Sequence, residues 1–277
     1  MKHLGDITQL HGDQIPVVDV KTHLSLFSGI GGLDIAAEMA GFTTVGQCEI
    51  ADYPFEILSA HWPNVQKWRD VRTLTKESFY ERTGLRSVDV ISGGFPCQPH
   101  SLIGKRLGDQ DDRHLWPEFM RVIRELRPRA VVGENVPGIL STVHDTVCAD
   151  LEGEGYEVRT FCVPAYAVGA HHERYRVAIV GVAKSKPGLQ ANQEHDTTGT
   201  RREARQCSMQ QHRDCLPGTY WAVHKPPVLG MADGLPGGVD GYKQFKGEMT
   251  AYGNAVVPQQ FYPFFKAISD AMEEANT

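Results

Sequence analysis

The chain has 277 residues, 41% of them hydrophobic, with six cysteines and a formal net charge of −6 at pH 7. This composition suits one large domain with room for a small insert, and the charge argues against a nucleic-acid-binding surface that is basic over the whole molecule. The cysteines lack disulfide-type spacing and no run of about 18 apolar residues occurs, so we expect a reduced cytoplasmic protein without signal peptide or membrane span.

The first predicted elements are a strand over 22–27, a glycine-rich turn and a helix over about 33–40. The turn reads Ser28-Gly29-Ile30-Gly31-Gly32. Its small residues would let a ligand touch the backbone, and the exposed N–H groups of the helix start favour polar ligand atoms. The pattern indicates a nucleotide-type pocket, although such turns also serve plain strand-to-helix packing.

A second predicted strand over 43–49 ends in Glu49, about 20 residues beyond the turn. An acid at this place commonly binds ribose hydroxyls, and the alternative is a charge at a helix N-terminus. Asp70 would close the same pocket around an adenine amino group or would be a turn residue. Both alternatives stay open at this point.

The third predicted strand, over 88–92, leads into a loop that carries Cys97 between Pro96 and Pro99. Two glycines and two prolines in this loop favour a fixed backbone, and the carboxyl end of such a strand is where open α/β sheets bind ligands. The alternative is a cysteine buried as a small hydrophobe. Lys105 and Arg106 follow in a polar segment, where they would meet phosphates or face solvent.

An apolar stripe at helical spacing over 114–126 predicts a helix that Pro128 stops. The next strand, over 130–133, leads to Glu134. If this strand neighbours the strand before Cys97, the carboxylate lies beside the thiol. An ordinary salt bridge at the strand end is the alternative.

Two further strands are predicted over 156–163 and 175–182. Arg174 and Arg176 alternate, so in an extended segment both point to one side, where two guanidiniums suit a carboxylate or a phosphate. His171 and His172 show no partner spacing of a known zinc type, so no metal is predicted there.

The composition becomes polar and locally basic over 184–225, which indicates contact with an anionic partner or a solvated insert. The spacing of its cysteines and histidines is irregular, so zinc is not predicted there either. After this insert come a Tyr-Gly-Asn-Ala-Val-Val-Pro stretch at 252–258 and a helix to about residue 273. The proline that ends this stretch would stand at the start of the helix, where proline is tolerated.

Five short motifs, taken together and in order, resemble the cytosine-C5 DNA methyltransferases that use S-adenosylmethionine. They are Phe27-Ser28-Gly29-Ile30-Gly31-Gly32, Gly94-Phe95-Pro96-Cys97-Gln98, Glu134-Asn135-Val136, Arg174-Tyr175-Arg176 and Gly253-Asn254-Ala255-Val256. Each motif is weak alone, and the five in order are specific.

The resemblance implies a catalytic set and a cofactor pocket. Cys97 would attack C6 of a flipped-out cytosine, Glu134 would hold the base, and Arg174 and Arg176 would orient both. The pocket for S-adenosyl-L-methionine would be formed by Phe27, Ser28, Gly29, Gly31, Gly32, Glu49, Ile50, Asp70, Pro96, Asn254 and Val256.

The fold implied is α/β, a Rossmann-like, doubly wound and mostly parallel sheet. Residues 1–183 and 226–277 would form the catalytic domain, and 184–225 a short target-recognition insert. The expected substrate is double-stranded DNA. We expect the protein to be a monomer, similar to the small bacterial or phage members of the family, and to act near the nucleoid. A cognate restriction endonuclease is a candidate partner.

The sequence departs from the family pattern in three respects: His100 and His172 stand at unusual places, and the insert is short. Three rival interpretations remain. A transfer-RNA methyltransferase of this family would carry a Cys-Phe-Thr tripeptide, which is absent. A non-catalytic cofactor-bound DNA-binding module would have lost the thiol or the acid, and a dinucleotide-dependent oxidoreductase would not need Cys97 and Glu134 together.

Overall fold

The computed structural model describes residues 20–96, 115–184, 250 and 253–274, and the structural statements below concern these residues. The strands are β1 Thr22–Leu26, β2 Thr43–Cys48, β3 Gln66–Trp68, β4 Val90–Gly93, β5 Ala130–Asn135, β6 Tyr156–Val163 and β7 Arg176–Ala183. The helices are α1 Gly32–Met39, α2 Asp52–His61, α3 Lys76–Thr83, α4 Trp116–Leu126, α5 His144–Gly153 and α6 Pro258–Glu274.

The seven strands form one sheet in the order β3-β2-β1-β4-β5-β7-β6. The neighbours from β3 to β5 run parallel, and β7 runs antiparallel to both β5 and β6. The strand order reverses at β1, and ligands of such open sheets bind beyond the carboxyl ends of the strands at this point. The predicted α/β, Rossmann-like and mostly parallel fold is confirmed.

Helices cover both faces of the sheet. On one face, apolar residues of α1 and α6 pack on Val90, Val132 and Ala178. On the other, α3, α4 and α5 pack on a second core cluster that includes Leu24, Ile91 and Val131. Strands buried on both faces read as continuous apolar runs, which is why the sequence reveals them.

Helix α4 shows how the sequence sets an element's bounds. Its residues Trp116, Phe119, Met120 and Ile123 recur at helical spacing and are buried. The helix ends where Arg127 adopts a left-handed conformation with φ 47°, directly before Pro128. Proline has no N–H and disfavours a helical conformation in the residue before it, so the chain turns into β5.

A buried polar network lies beneath the glycine turn. Asp34, in the first turn of α1, accepts hydrogen bonds from the Ser25 hydroxyl (3.0 Å) and the Gln47 amide (2.9 Å). Burial raises the pKa of the Asp34 carboxyl to about 6. The network joins β1, α1 and β2 and so fixes the direction in which the turn opens.

Within the described residues, no helix combines the length and apolarity that crossing a bilayer requires.

Candidate active site

A cleft of about 1130 Å³ opens at the carboxyl ends of β1, β2, β4 and β5. The loop before α6 closes it from the other side. Twelve residues that the sequence predicts for the site line it, namely Phe27, Ser28, Gly29, Gly32, Glu49, Ile50, Asp70, Pro96, Glu134, Arg176, Asn254 and Val256. Of the other described candidates, Gly31 and Arg174 lie next to the cleft without lining it.

The glycine turn depends on two different uses of glycine. Gly31 has φ +89°, and a Cβ there would lie 2.5 Å from the ring of Trp62. Gly32 faces the opposite side, where a Cβ would lie 2.6 Å from the backbone oxygen of Val256. The loop before α6 therefore approaches the turn as closely as the backbone allows, and it forms one wall of the cleft.

Ser28 fastens the turn to the neighbouring strand. Its backbone N–H donates to the carbonyl of Cys48 (3.0 Å), and its hydroxyl donates to the carbonyl of Ser25 (3.1 Å). Phe27, just before it, has φ +52°. A left-handed phenylalanine is strained, and these hydrogen bonds help to hold it.

Glu49 bridges two backbone segments at the cleft. One carboxylate oxygen accepts from the N–H of Gly29 (2.8 Å), and the other accepts from the N–H of Ala51 (2.8 Å), the residue before α2. The alternative of a charge at a helix N-terminus is thus realised. Each oxygen retains acceptor capacity toward the cleft, so the two alternatives are compatible. Ile50 beside it is 65% exposed and offers an apolar surface in the cleft.

Asp70 is both a turn residue and part of the cleft wall. Its carboxylate accepts from the N–H of Arg72 (2.9 Å) and caps the short 3₁₀ helix Val71–Thr73. The same residue lines the cleft.

Glu134 lies near the end of β5 at the floor of the cleft and is only 8% exposed. Its Oε1 is 2.8 Å from Nε of Arg176, which is itself buried. Burial raises the pKa of Glu134 to about 7, and the charges of Arg176 and Arg174 oppose the rise. A carboxyl group in this range can donate or accept a proton near neutral pH.

Gly94 makes room for that carboxylate. A Cβ at Gly94 would lie 2.5 Å from Oε2 of Glu134, whose other oxygen, Oε1, is 2.8 Å from Nε of Arg176. Sequence reasoning assigned Gly94 only a general role in the loop. A steric reason of this kind becomes visible only when β4 and β5 are paired.

The expectation that Arg174 and Arg176 share one face of an extended segment is wrong. Strand β7 begins at Arg176, and Arg174 precedes it with φ +23°. The Arg174 guanidinium donates to the carbonyls of Gly253 (2.7 Å) and Ala255. These carbonyls belong to a distant part of the chain, and they bind the guanidinium of a residue that lies outside the strand.

Cys97 lies outside the described residues, as do His100, Lys105, Arg106 and nearly all of the predicted insert. The residues just before Cys97 are anchored. The Asn135 side chain donates to the carbonyl of Phe95 (2.9 Å), and the Phe95 ring packs on Trp116 with centroids 4.8 Å apart. The side chain next to Glu134 therefore ties β5 to the Cys97 loop, a link that sequence reasoning missed.

Among the described residues, no group of three or more His, Cys, Asp or Glu side chains is arranged to hold a metal ion. His171 and His172 belong to this part of the chain, whereas His195, Cys207, His212 and Cys215 do not. Burial and the nearby arginines lower the pKa of His172.

Comparison with known proteins gives one family. A family model described as C-5 cytosine-specific DNA methylase matches residues 21–216. Curated relatives include two type II methyltransferases. M.HgiCII of Herpetosiphon aurantiacus is 30% identical over 57% of this chain and 36% of its own length. M.NgoPII of Neisseria gonorrhoeae is 33% identical over 58% of this chain and 48% of its own length. This chain thus spans less than half the length of these two relatives.

Two solved structures resemble the fold. A candidate DNA modification methyltransferase encoded within an E. coli prophage has a TM-score of 0.52 at 30% identity, over 60% of this chain and 47% of that chain. A Spodoptera frugiperda DNMT2 mutant has a TM-score of 0.54 at 22% identity, over 63% of this chain and 54% of that chain. At this identity the similarity concerns the fold alone.

Proposed function

This chain belongs to the C-5 cytosine-specific DNA methylase family, and from that premise we propose that it transfers a methyl group from S-adenosylmethionine to C5 of cytosine in double-stranded DNA. The observation that carries the proposal is one cleft that holds both the glycine turn and the buried Glu134–Arg176 pair, with Pro96, the residue before Cys97, in its wall.

The cleft fits the methyl donor. The close approach of Gly32 to Val256 and the position of Gly29 leave backbone exposed to a ligand. Glu49 and Asp70 supply acceptors for hydroxyl and amino groups, and Ile50 supplies an apolar surface. When bound, S-adenosylmethionine supplies an electrophilic methyl group. The proposed pocket also includes Phe27, Ser28, Gly31, Pro96 and Asn254.

The proposed chemistry begins with the Cys97 thiolate, which forms a bond to C6 of the cytosine and leaves C5 nucleophilic. C5 would then bond to the methyl group, and the electrons of the broken carbon–sulfur bond would stay on the sulfur of the donor. A base then removes the C5 proton, and the electrons of that C–H bond restore the C5–C6 double bond as the thiolate leaves.

Glu134 is proposed to hold the cytosine. With its pKa raised to about 7 by burial, its carboxyl group can donate to N3 and stabilise the intermediate by protonation. Arg176 fixes the carboxyl from one side. Since Glu134 lies on the floor of a cleft and C6 is shielded in a stacked duplex, the target base has to be flipped out of the helix.

We propose residues 1–183 and 226–277 as the catalytic domain and 184–225 as the insert that recognises the target. The bias of that insert toward lysine and arginine suits a phosphate backbone. We further propose that the protein acts as a monomer in the cytoplasm, near the nucleoid, and that a restriction endonuclease is its partner.

The test is incubation with methyl-labelled S-adenosylmethionine and mixed-sequence duplex DNA, with transfer RNA in a parallel reaction, followed by nucleoside analysis. We expect label in 5-methylcytosine from DNA. Cys97→Ser should abolish transfer and retain cofactor binding, whereas Cys148→Ser, a matched control on α5, should stay active. Label only in RNA, or full turnover by Cys97→Ser, would contradict the proposal.

A further inference from the structure

Gln260, in the first turn of α6, makes an unusual pair of contacts. It is 1% exposed, and its Nε2 donates to the carbonyl of Val163 (2.7 Å) and to the carbonyl of Arg174 (3.0 Å). Val163 ends β6, and Arg174 lies just before β7. One side-chain amide therefore joins α6 to the end of β6 and to the segment just before β7, which are 97 and 86 residues away along the chain.

Stability alone is a poor explanation for a glutamine at this place. Its Oε1 is buried without a hydrogen-bond partner in the part of the chain that the structure describes. A buried acceptor that is left unpaired destabilises a fold, so an apolar residue of similar shape would cost less. A local rule broken in this way is typical of residues that serve function.

Arg174, whose carbonyl accepts a hydrogen bond from Gln260, has a strained backbone conformation. Arg174 has φ +23°, a conformation that L-residues rarely adopt and that persists only where the surroundings impose it. Gln260 holds its carbonyl, and the carbonyls of Gly253 and Ala255 hold its guanidinium. Arg174 is thus fixed at both ends.

The two ends of Arg174 influence different parts of the cleft. Gly253 and Ala255 flank Asn254, which lines the cleft on the side proposed for the cofactor. The positive charge of Arg174 also acts on Glu134, which is proposed to hold the base. Gln260 itself touches neither site.

We propose that Gln260 is a positioning residue that holds Arg174 in its strained conformation and thereby couples the cofactor wall at 253–255 to the base-binding carboxyl of Glu134. This inference rests on the proposed function, since it assigns the two sides of the cleft to cofactor and base. A substitution of Gln260 should therefore affect both the cofactor wall and the base-binding carboxyl.

The experiment compares Gln260→Met with Gln259→Met. Methionine keeps the length of the side chain and removes the two donors. Gln259 is the exposed neighbour in the same turn, so it controls for the substitution itself. Cofactor affinity is measured by calorimetry with S-adenosylmethionine, and the titration of Glu134 is followed by carbon NMR on glutamate-labelled protein.

In Gln260→Met we expect the cofactor Kd to rise about tenfold or more, because the wall at 253–255 loses its anchor, a loss comparable to that of a hydrogen bond to a charged group. The pKa of Glu134 should rise, because the Arg174 charge that lowers it moves away. Within the described residues, the charges shown to act on Glu134 are those of Arg176 and Arg174, and Gly94 on the β4 side brings none. Gln259→Met should change neither quantity.

A lower melting temperature with cofactor affinity and Glu134 titration unchanged would overturn the proposal in favour of a structural role. If Gln260→Met does not fold, Gln260→Asn replaces it. Its amide is one methylene shorter and cannot reach both carbonyls, so the same two shifts are expected and their absence is equally decisive. Neither readout needs turnover, so a wild-type protein that fails to bind S-adenosylmethionine would refute the proposed function instead.

Discussion

Gly94→Ala is the substitution that most directly tests where Glu134 must lie. The added Cβ would be 2.5 Å from Oε2 of Glu134, and real Cβ atoms essentially never come within 3.0 Å of another heavy atom. The carboxylate must therefore retreat by at least 0.5 Å, the difference between these two distances. The movement would also disturb the ion pair with Arg176, whose Nε lies 2.8 Å from the other carboxylate oxygen.

The size of the effect follows from how sharply reaction rates depend on the placement of a catalytic group. A misplacement of about 1 Å costs roughly a hundredfold in rate. We expect kcat for methyl transfer to fall by about 10- to 100-fold, which corresponds to about 1.4 to 2.8 kcal/mol in the activation free energy. The assay is the initial rate of label transfer to duplex DNA at saturating S-adenosylmethionine.

Gly138→Ala is the matched control. A Cβ at Gly138 would meet nothing within 4 Å, and its φ is not in the left-handed region, so alanine fits there. This variant lies just beyond β5, on the 3₁₀ helix Pro137–Ser141, and should keep the wild-type rate. A folded Gly94→Ala protein with an unchanged kcat would refute the reasoning that Glu134 acts from its observed position.

Two further substitutions test other parts of the account. Gly32→Ala would place a Cβ 2.6 Å from the backbone oxygen of Val256, so the loop before α6 must move. The Kd for S-adenosylmethionine, measured by calorimetry, should therefore rise about tenfold or more. A binding isotherm identical to that of the wild type would contradict this prediction. Glu134→Gln tests the raised pKa of about 7 against the ordinary 4.5. The wild type should lose about 3 kcal/mol of unfolding free energy as pH rises from below 4.5 to above 7, because the buried group must then ionise, and the variant should lack that loss. Parallel pH curves for the two proteins in reversible chemical unfolding would contradict the assignment.

Much of the fold could be predicted because parallel strands buried on both faces are apolar runs bounded by glycine. The runs before Gly29, Gly94 and Glu134 all end at one edge of the sheet, as predicted, and this places most candidate residues in one cleft. The structure extends β5 to Asn135, so Glu134 belongs to the strand itself.

The contacts that were missed are made between segments far apart in the sequence. The alternation of Arg174 and Arg176 in the sequence predicts that both side chains share one face of an extended segment. In the structure, carbonyls 79 and 81 residues away bind the guanidinium of Arg174, which lies outside the strand. The steric role of Gly94 and the amide contacts of Gln260 likewise depend on pairings that local patterns do not encode. Glu49 shows the reverse case, in which two alternatives drawn from the sequence turn out to be compatible.

The most direct test of the central claim uses duplex DNA in which the cytosine carries fluorine at C5 in place of hydrogen. The proposed adduct would form and accept the methyl group, but no proton is left at C5 for a base to remove, so the bond to Cys97 should persist. We predict a denaturant-resistant protein–DNA complex that requires S-adenosylmethionine and is absent from Cys97→Ser. A protein that binds the cofactor and methylates DNA yet yields no such complex would contradict the covalent mechanism.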